Sequence, residues 1–192
     1  RDGHTGPVVL QLGGADPETL AAATRIGAQL GYNAINLNCG CPSMRAHLDG
    51  EGAALMSNAS HVAECCRCMM EAVSDLPSPP PVTVKHRLGI ADRYTYDRAN
   101  DLQLGDGPAL ESASDFIETV SAVGVRRFHV HARLALLDFD FNPDSGLHVP
   151  HRGRNIQEAC QKSGRKGKGW INPIGNRDVP PLRMSVAHTL AE

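Results

Sequence analysis

Two cysteines flank a single glycine in the stretch NLNCGCPS, residues 36–43, and Pro42 stops the chain directly after the second. A Cys-x-Cys pair is too closely spaced for an easy disulfide, and no second pair stands at convincing zinc spacing. That leaves a place where one thiol, Cys39 or Cys41, could do chemistry, with a buried structural cysteine as the alternative. Asn38 lies three residues before Cys41 and offers an amide with both a donor and an acceptor. Other polar groups fall at the ends of apolar runs: Gln11 in PVVLQLGG (7–14), Lys85 and Arg87 in PVTVKHRLG (81–89), His129 and His131 in RRFHVHAR (126–133).

The elements that must position these groups alternate. Each of the apolar runs, NAINLNCG (33–40) included, reads as a short strand followed by a stretch with helical spacing, which predicts parallel strands with crossover helices. The first helix is the clearest: Asp16 caps it, Pro17 takes its first position, and Leu20, Ala23, Ile26, Gly27 and Leu30 share a face before Gly31. The second covers about 60–74, with Val62, Cys66, Met69 and Val73 in a stripe, and the third covers ASDFIETVSAVG. Cys65, Cys66, Cys68 and His61 all fall within the second helix, so packing is the expected role for them and no metal site is expected.

Spacing of two puts Asn36 with Asn38, Lys85 with Arg87, and His129 with His131 on one face of the strands, beside Gln11. The opposite parity is mostly apolar. A doubly wound sheet covered on both sides would be apolar on both. A polar face gathered at the strand C-termini suits the mouth of a (β/α) barrel, where such folds place their sites.

The chain of 192 residues can form one sizeable domain, and 41% hydrophobic with 21% charged residues is ordinary for a globular protein. A net charge of -2 carries no global nucleic-acid signature, so any RNA contact must come from local patches. No apolar run approaches the ~20 residues needed to cross a bilayer. Six cysteines without a secretory signal predict reduced thiols inside the cell, and the expected location is cytoplasmic. The segment 91–114 reads as an extended loop with a turn at GDG, and the polar, Gly-rich segment 138–169 reads as an insertion, expected to be mobile. Its basic run SGRKGKG could meet RNA phosphates through Arg165, Lys166 and Lys168, or be a solvated loop.

Taken in order, LQLGG, NLNCGCPS, VTVKHRLGI, FHVHAR and NRDVPPLR resemble the motifs of the tRNA-dihydrouridine synthases, most of all the DusA branch. The resemblance implies a flavin-dependent (β/α)8 TIM barrel that reduces a uridine in the D-loop of tRNA to dihydrouridine. It implies FMN as cofactor, NADPH as reductant and tRNA as partner. The motifs resemble the third to sixth strands of that barrel. This predicts about four βα units of a partial barrel over 1–192, a piece of a longer enzyme that is inactive by itself. The chain's opening without Met, directly before a strand, agrees.

By the same resemblance Cys41 is the general acid, protonating C5 of the base while hydride arrives at C6; an ordinary thiol is protonated at neutral pH, as a donor must be. Gln11, Lys85 and His131 fall at positions that hold FMN, with Lys85 suited to negative charge on the reduced ring. Asn38, Arg87, Asn176 and Arg177 fall at positions facing the substrate. Two other readings stay open: a flavin barrel acting on a free pyrimidine, as in the dihydroorotate dehydrogenases, and a non-catalytic remnant that binds RNA.

Overall fold

A computed structural model of the chain describes residues 6–43, 46, 47, 49–93, 96–137, 139–142, 147–150 and 180–191, the two short stretches 139–142 and 147–150 by backbone alone. Its centre is a parallel sheet of four strands: β1 (Val9–Leu12), β2 (Ala34–Cys39), β3 (Val82–Arg87) and β5 (Phe128–His131), in that spatial order. Each strand lies beside the next one of this sheet in the chain, and the connections carry helices α1 (Pro17–Gln29), α2 (Ala59–Glu71), α3 (Arg98–Leu104) and α4 (Gly107–Ser121).

Local chemistry sets the helix ends. The Asp16 side chain accepts the Thr19 N–H at 2.8 Å and Pro17 opens α1. Asn58 caps α2 by accepting the His61 N–H at 3.0 Å. Gly27 lets α1 settle onto the sheet: a Cβ there would stand 2.7 Å from Leu10 Cδ2 and 2.8 Å from Ile35 Cδ1.

The main core lies between the helices and one face of the sheet. Ile35, Leu37, Val84, Val62, Met69 and Val120 are each fully buried, and they belong to a single cluster that spans β2, β3, α2 and α4. His86 sits among these apolar groups on the same face of β3. Its ring lies 5.0 Å from that of Phe116 and 5.8 Å, edge on, from that of Phe128.

Residues 91–114 depart from the extended loop that their sequence suggests. The side chain of Asp97 accepts the N–H groups of Ala99 and Asn100 at 2.8 and 3.3 Å and starts α3. Gly105, at φ 74, ends it, and α4 begins at Gly107, well before Ala113, where the sequence suggests its start. The reason is visible in the packing: α3 buries no residue, so it leaves no apolar stripe to read.

Beyond a bend at Leu88 and Gly89, the third and fifth strands resume as β4 (Ile90–Asp92) and β6 (Ala135–Leu137), again parallel, with Ala135 N–H donating to the Gly89 carbonyl at 2.9 Å. Within the expected insertion, β7 (Phe139–Asn142) and β8 (Leu147–Pro150) pair in antiparallel fashion. Alternating Phe139–Phe141 and the apolar Leu147–Val149 are the signal that a reading of the segment as aperiodic overlooks.

Helix α5 (Met184–Thr189) follows, and Arg183 ties it down. Its backbone N–H donates to the Ala132 carbonyl at 2.8 Å. Its guanidinium, almost wholly buried, donates to Asp106 Oδ1 at 2.6 Å and to the Asp101 carbonyl and carboxylate, each at 2.8 Å. Burial opposes the charge on Arg183, but the hydrogen bonds to Asp106 and Asp101 outweigh it and raise its pKa. Val186 then packs against Leu88, Ala109 and Ala113.

Candidate active site

Because successive strand residues face opposite ways, the register decides which groups meet. Gln11 pairs with Asn36, Asn36 with Thr83, Asn38 with Lys85, Lys85 with His129 and Arg87 with His131. All of these lie on the face away from α1, α2 and α4. Gln11, Asn38, Lys85, Arg87 and His131 therefore gather there as expected. Asn176 and Arg177 lie outside the described residues, as do Arg165, Lys166 and Lys168.

The end of β2 separates the two cysteines of NLNCGCPS, because Cys41 already stands in the turn beyond the strand. Cys39, the last residue of β2, points into the helix-side core and is fully buried; burial, with Cys66 and Cys65 nearby, pushes its thiol well above its ordinary pKa. Cys66 and Cys65 are pushed up to about 12 and about 11, in both cases chiefly by burial. Cys65 and Cys66 pack as expected, whereas Cys68 is only half-buried and donates to Glu64 Oε1 at 3.5 Å. The His61 ring nitrogen Nε2 lies 2.7 Å from the Ala15 carbonyl, and no group of three or more potential metal ligands occurs among the described residues.

Cys41 stands beyond the strand in a half-buried turn held on several sides. Asn38 Oδ1 accepts the N–H groups of Gly40 and Cys41, each at 3.0 Å. The Gly40 carbonyl accepts Arg87 Nε–H at 3.0 Å, and the Cys41 carbonyl accepts the Ala53 N–H at 2.9 Å. Gly52, at φ +61, makes that last approach possible, since a Cβ there would stand 2.5 Å from the Cys41 carbonyl oxygen. The thiol itself donates to Ser43 Oγ at 3.3 Å. Sequence reasoning did not single out Ser43; a serine two residues after the cysteine in the turn was the available signal.

Both ends of the Asn38 amide are engaged within the chain: Oδ1 by the turn, and one Nδ2–H by Gln11 Oε1 at 3.1 Å. One N–H remains to meet a ligand. Among the described residues only the Nε–H of Arg87 has an acceptor, which leaves its terminal nitrogens for a ligand in the same way. Burial draws the Arg87 pKa down, with Cys41 raising and Arg133 lowering it. The His131 pKa is lowered first by burial and then by the positive charges of Arg87, Lys85 and Arg133. Cations thus collect at the ends of β3 and β5, a field that favours an anionic ligand. Beside them, Lys85, His129 and His131 line an open pocket of about 350 Å³, together with Leu182, Met184 and Ala187.

A parallel α/β sheet with a pinned thiol and a cationic, amide-bearing face at its strand ends defines a class: α/β proteins whose site is built at the C-terminal ends of parallel strands. The chain belongs to the dihydrouridine synthase family, whose profile, "Dihydrouridine synthase (Dus)", matches residues 1–162. It is similar to the tRNA-dihydrouridine(20/20a) synthase of Pseudomonas putida, 35% identical over 98% of this chain and 41% of the relative. The tRNA-dihydrouridine(20/20a) synthase of Synechocystis sp. is 45% identical over 96% of this chain and 40% of the relative. That of Escherichia coli K12 is 41% identical over 75% of this chain and 36% of the relative. The chain thus spans about two fifths of the length of the curated relatives it matches, or less.

Proposed function

We propose that these residues form part of an FMN-dependent enzyme that reduces uridine in the D-loop of tRNA to 5,6-dihydrouridine, with NADPH as reductant. The observation that carries this reading is the Cys41 turn, fixed beside a face bearing amides and cations in a chain of the dihydrouridine synthase family. On this reading the four parallel strands are an arc of a (β/α)8 barrel, its third to sixth strands, and the polar face is the barrel interior. Among the described residues no helix is long and apolar enough to cross a membrane.

The donors present fit a flavin. Gln11 keeps one N–H and one lone pair for the amide edge of the ring, Lys85 is exposed on the same face, and the pocket at Lys85, His129 and His131 has an apolar wall from Leu182 and Met184. Bound FMN, once reduced, supplies the hydride that adds to C6 of the uracil. Cys41 gives its proton to C5, so that the C5=C6 bond is saturated, and regains a proton from solvent. Asn38 directs its remaining N–H to a uracil carbonyl, while Arg87, Asn176 and Arg177 hold the flipped base and its phosphates.

The test is a pair of substitutions in the intact protein. Cys41→Ala should retain flavin and lose about 100- to 10,000-fold in dihydrouridine formation on tRNA. Cys39→Ala should stay active. Near-parental turnover by Cys41→Ala would overturn the assignment.

A further inference from the structure

Asn36 and Thr83 lie on the polar face of the sheet but are both buried, at 3% and 1% exposure, so neither is open to a ligand. They nevertheless connect to the groups that are. The Thr83 hydroxyl donates to the Ile35 carbonyl at 3.4 Å and accepts Asn36 Nδ2–H at 2.8 Å. Asn36 Oδ1 accepts Gln11 Nε2–H at 2.7 Å, and Gln11 Oε1 accepts Asn38 Nδ2–H at 3.1 Å. Asn38 Oδ1 accepts the Gly40 and Cys41 N–H groups.

This is one continuous chain across β3, β2 and β1 to the turn, and its direction is set at both ends. The Ile35 carbonyl can only accept, which orients the Thr83 hydroxyl and leaves it a lone pair for Asn36. The Gly40 and Cys41 amides can only donate, which turns Asn38 Oδ1 toward them. The three side-chain amides between have a single arrangement that satisfies both ends. Bonds aligned donor to acceptor in this way strengthen one another.

We propose that Asn36 and Thr83 are positioning residues: they fix the amide orientation of Gln11 and, through Gln11 and Asn38, hold the Cys41 turn. The purpose of that hold rests on the proposed function; the hold itself does not. Gln11 is exposed and its side chain long, so without Asn36 its amide could turn over and present a donor to Asn38 where an acceptor is needed.

Hydrogen exchange at the Gly40 and Cys41 amides tests this in the intact protein with no flavin or tRNA present. Thr83→Val keeps the shape but removes the acceptor for Asn36. It should raise exchange at these two amides about fivefold, the equivalent of one ordinary hydrogen bond, while the amides of α2 keep their rates. Thr83→Ser should restore the parental rates. Gln11→Leu, on the exposed face where folding is not at stake, breaks the same chain and should give the same local rise. Unchanged exchange at Gly40 and Cys41 in Thr83→Val or Gln11→Leu would overturn the proposal, as would an equal rise at every amide or a failure of Thr83→Ser to rescue. A Cys41→Ala enzyme that still turns over would remove the proposed function and leave the exchange result standing.

Discussion

The side chain of Asn38 holds the backbone of Cys41: one amide oxygen accepts both the Cys41 N–H and that of Gly40, each at 3.0 Å. A strand residue thereby carries the turn that follows it, and the thiol inherits the rigidity of β2. Asn38→Ala would leave two N–H groups without that acceptor and should destabilise the protein by about 1–3 kcal/mol in urea denaturation. Asn38→Asp keeps the acceptor but loses the donor to Gln11 Oε1, so it should recover only part of the loss; an Asp variant as unstable as the Ala variant would remove the turn-holding role.

Gly52 is the opposite support of the same turn. Its φ is +61, and a Cβ at this position would come within 2.5 Å of the Cys41 carbonyl oxygen, which leaves no room for a side chain. Gly52→Ala should cost about 1–3 kcal/mol from the backbone conformation. The obstructing atom is backbone, so Cys41 must move, and turnover should fall more than flavin binding does. Equal losses in both would show that the substitution acts through general unfolding.

Arg183 anchors the start of α5 to α3 and to the start of α4. Its side chain is 5% exposed and bridges Asp101 and Asp106, which are 15% and 43% exposed. Removing it leaves the better buried carboxylate, Asp101, with one partner among the described residues, the Tyr96 hydroxyl, which donates to it at 2.8 Å. Arg183→Met should therefore destabilise by about 3 kcal/mol. Substitution of the exposed Arg67, which pairs with Glu64 and Glu71 on the surface of α2, should change stability by less than about 1 kcal/mol. Comparable losses for the two would show that burial is not what sets the value of the Arg183 cluster.

His86 makes stability depend on pH. Its Nδ1–H donates to the Arg87 carbonyl at 2.6 Å, and Nε2 is buried without a partner among the described residues. Burial lowers its pKa, outweighing the hydrogen bond to Arg87, which raises it. The unfolded chain, with a histidine near ~6.5, therefore takes up a proton before the folded one does. Stability should be full above that value and decline as pH falls from it toward the lower folded pKa. His131, shifted in the same direction, adds to the decline. His86→Leu should flatten denaturation midpoints below about pH 6.5, leaving the His131 share; an unaltered profile would mean that His86 does not titrate differently on unfolding.

Much of this architecture follows from the sequence by itself. Period-two alternation in Asn36–Leu37–Asn38–Cys39 and Lys85–His86–Arg87 determines which side chains share a face, because it depends only on strand geometry. Asp16, Pro17 and the stripe through Leu20 and Gly27 determine α1 for the same local reason. What depends on contacts between distant residues was decided only by the tertiary structure. No local pattern announces that Gly52 must approach the Cys41 carbonyl or that Arg183 reaches Asp106. Helix α3 was hidden because it buries nothing, and His86 reads as one more polar strand residue until Phe116 and Phe128 enclose it. The line from Thr83 to Asn38 exists only once three strands lie side by side, since hydrogen bonds across a sheet join residues that are close in space and far apart in the chain.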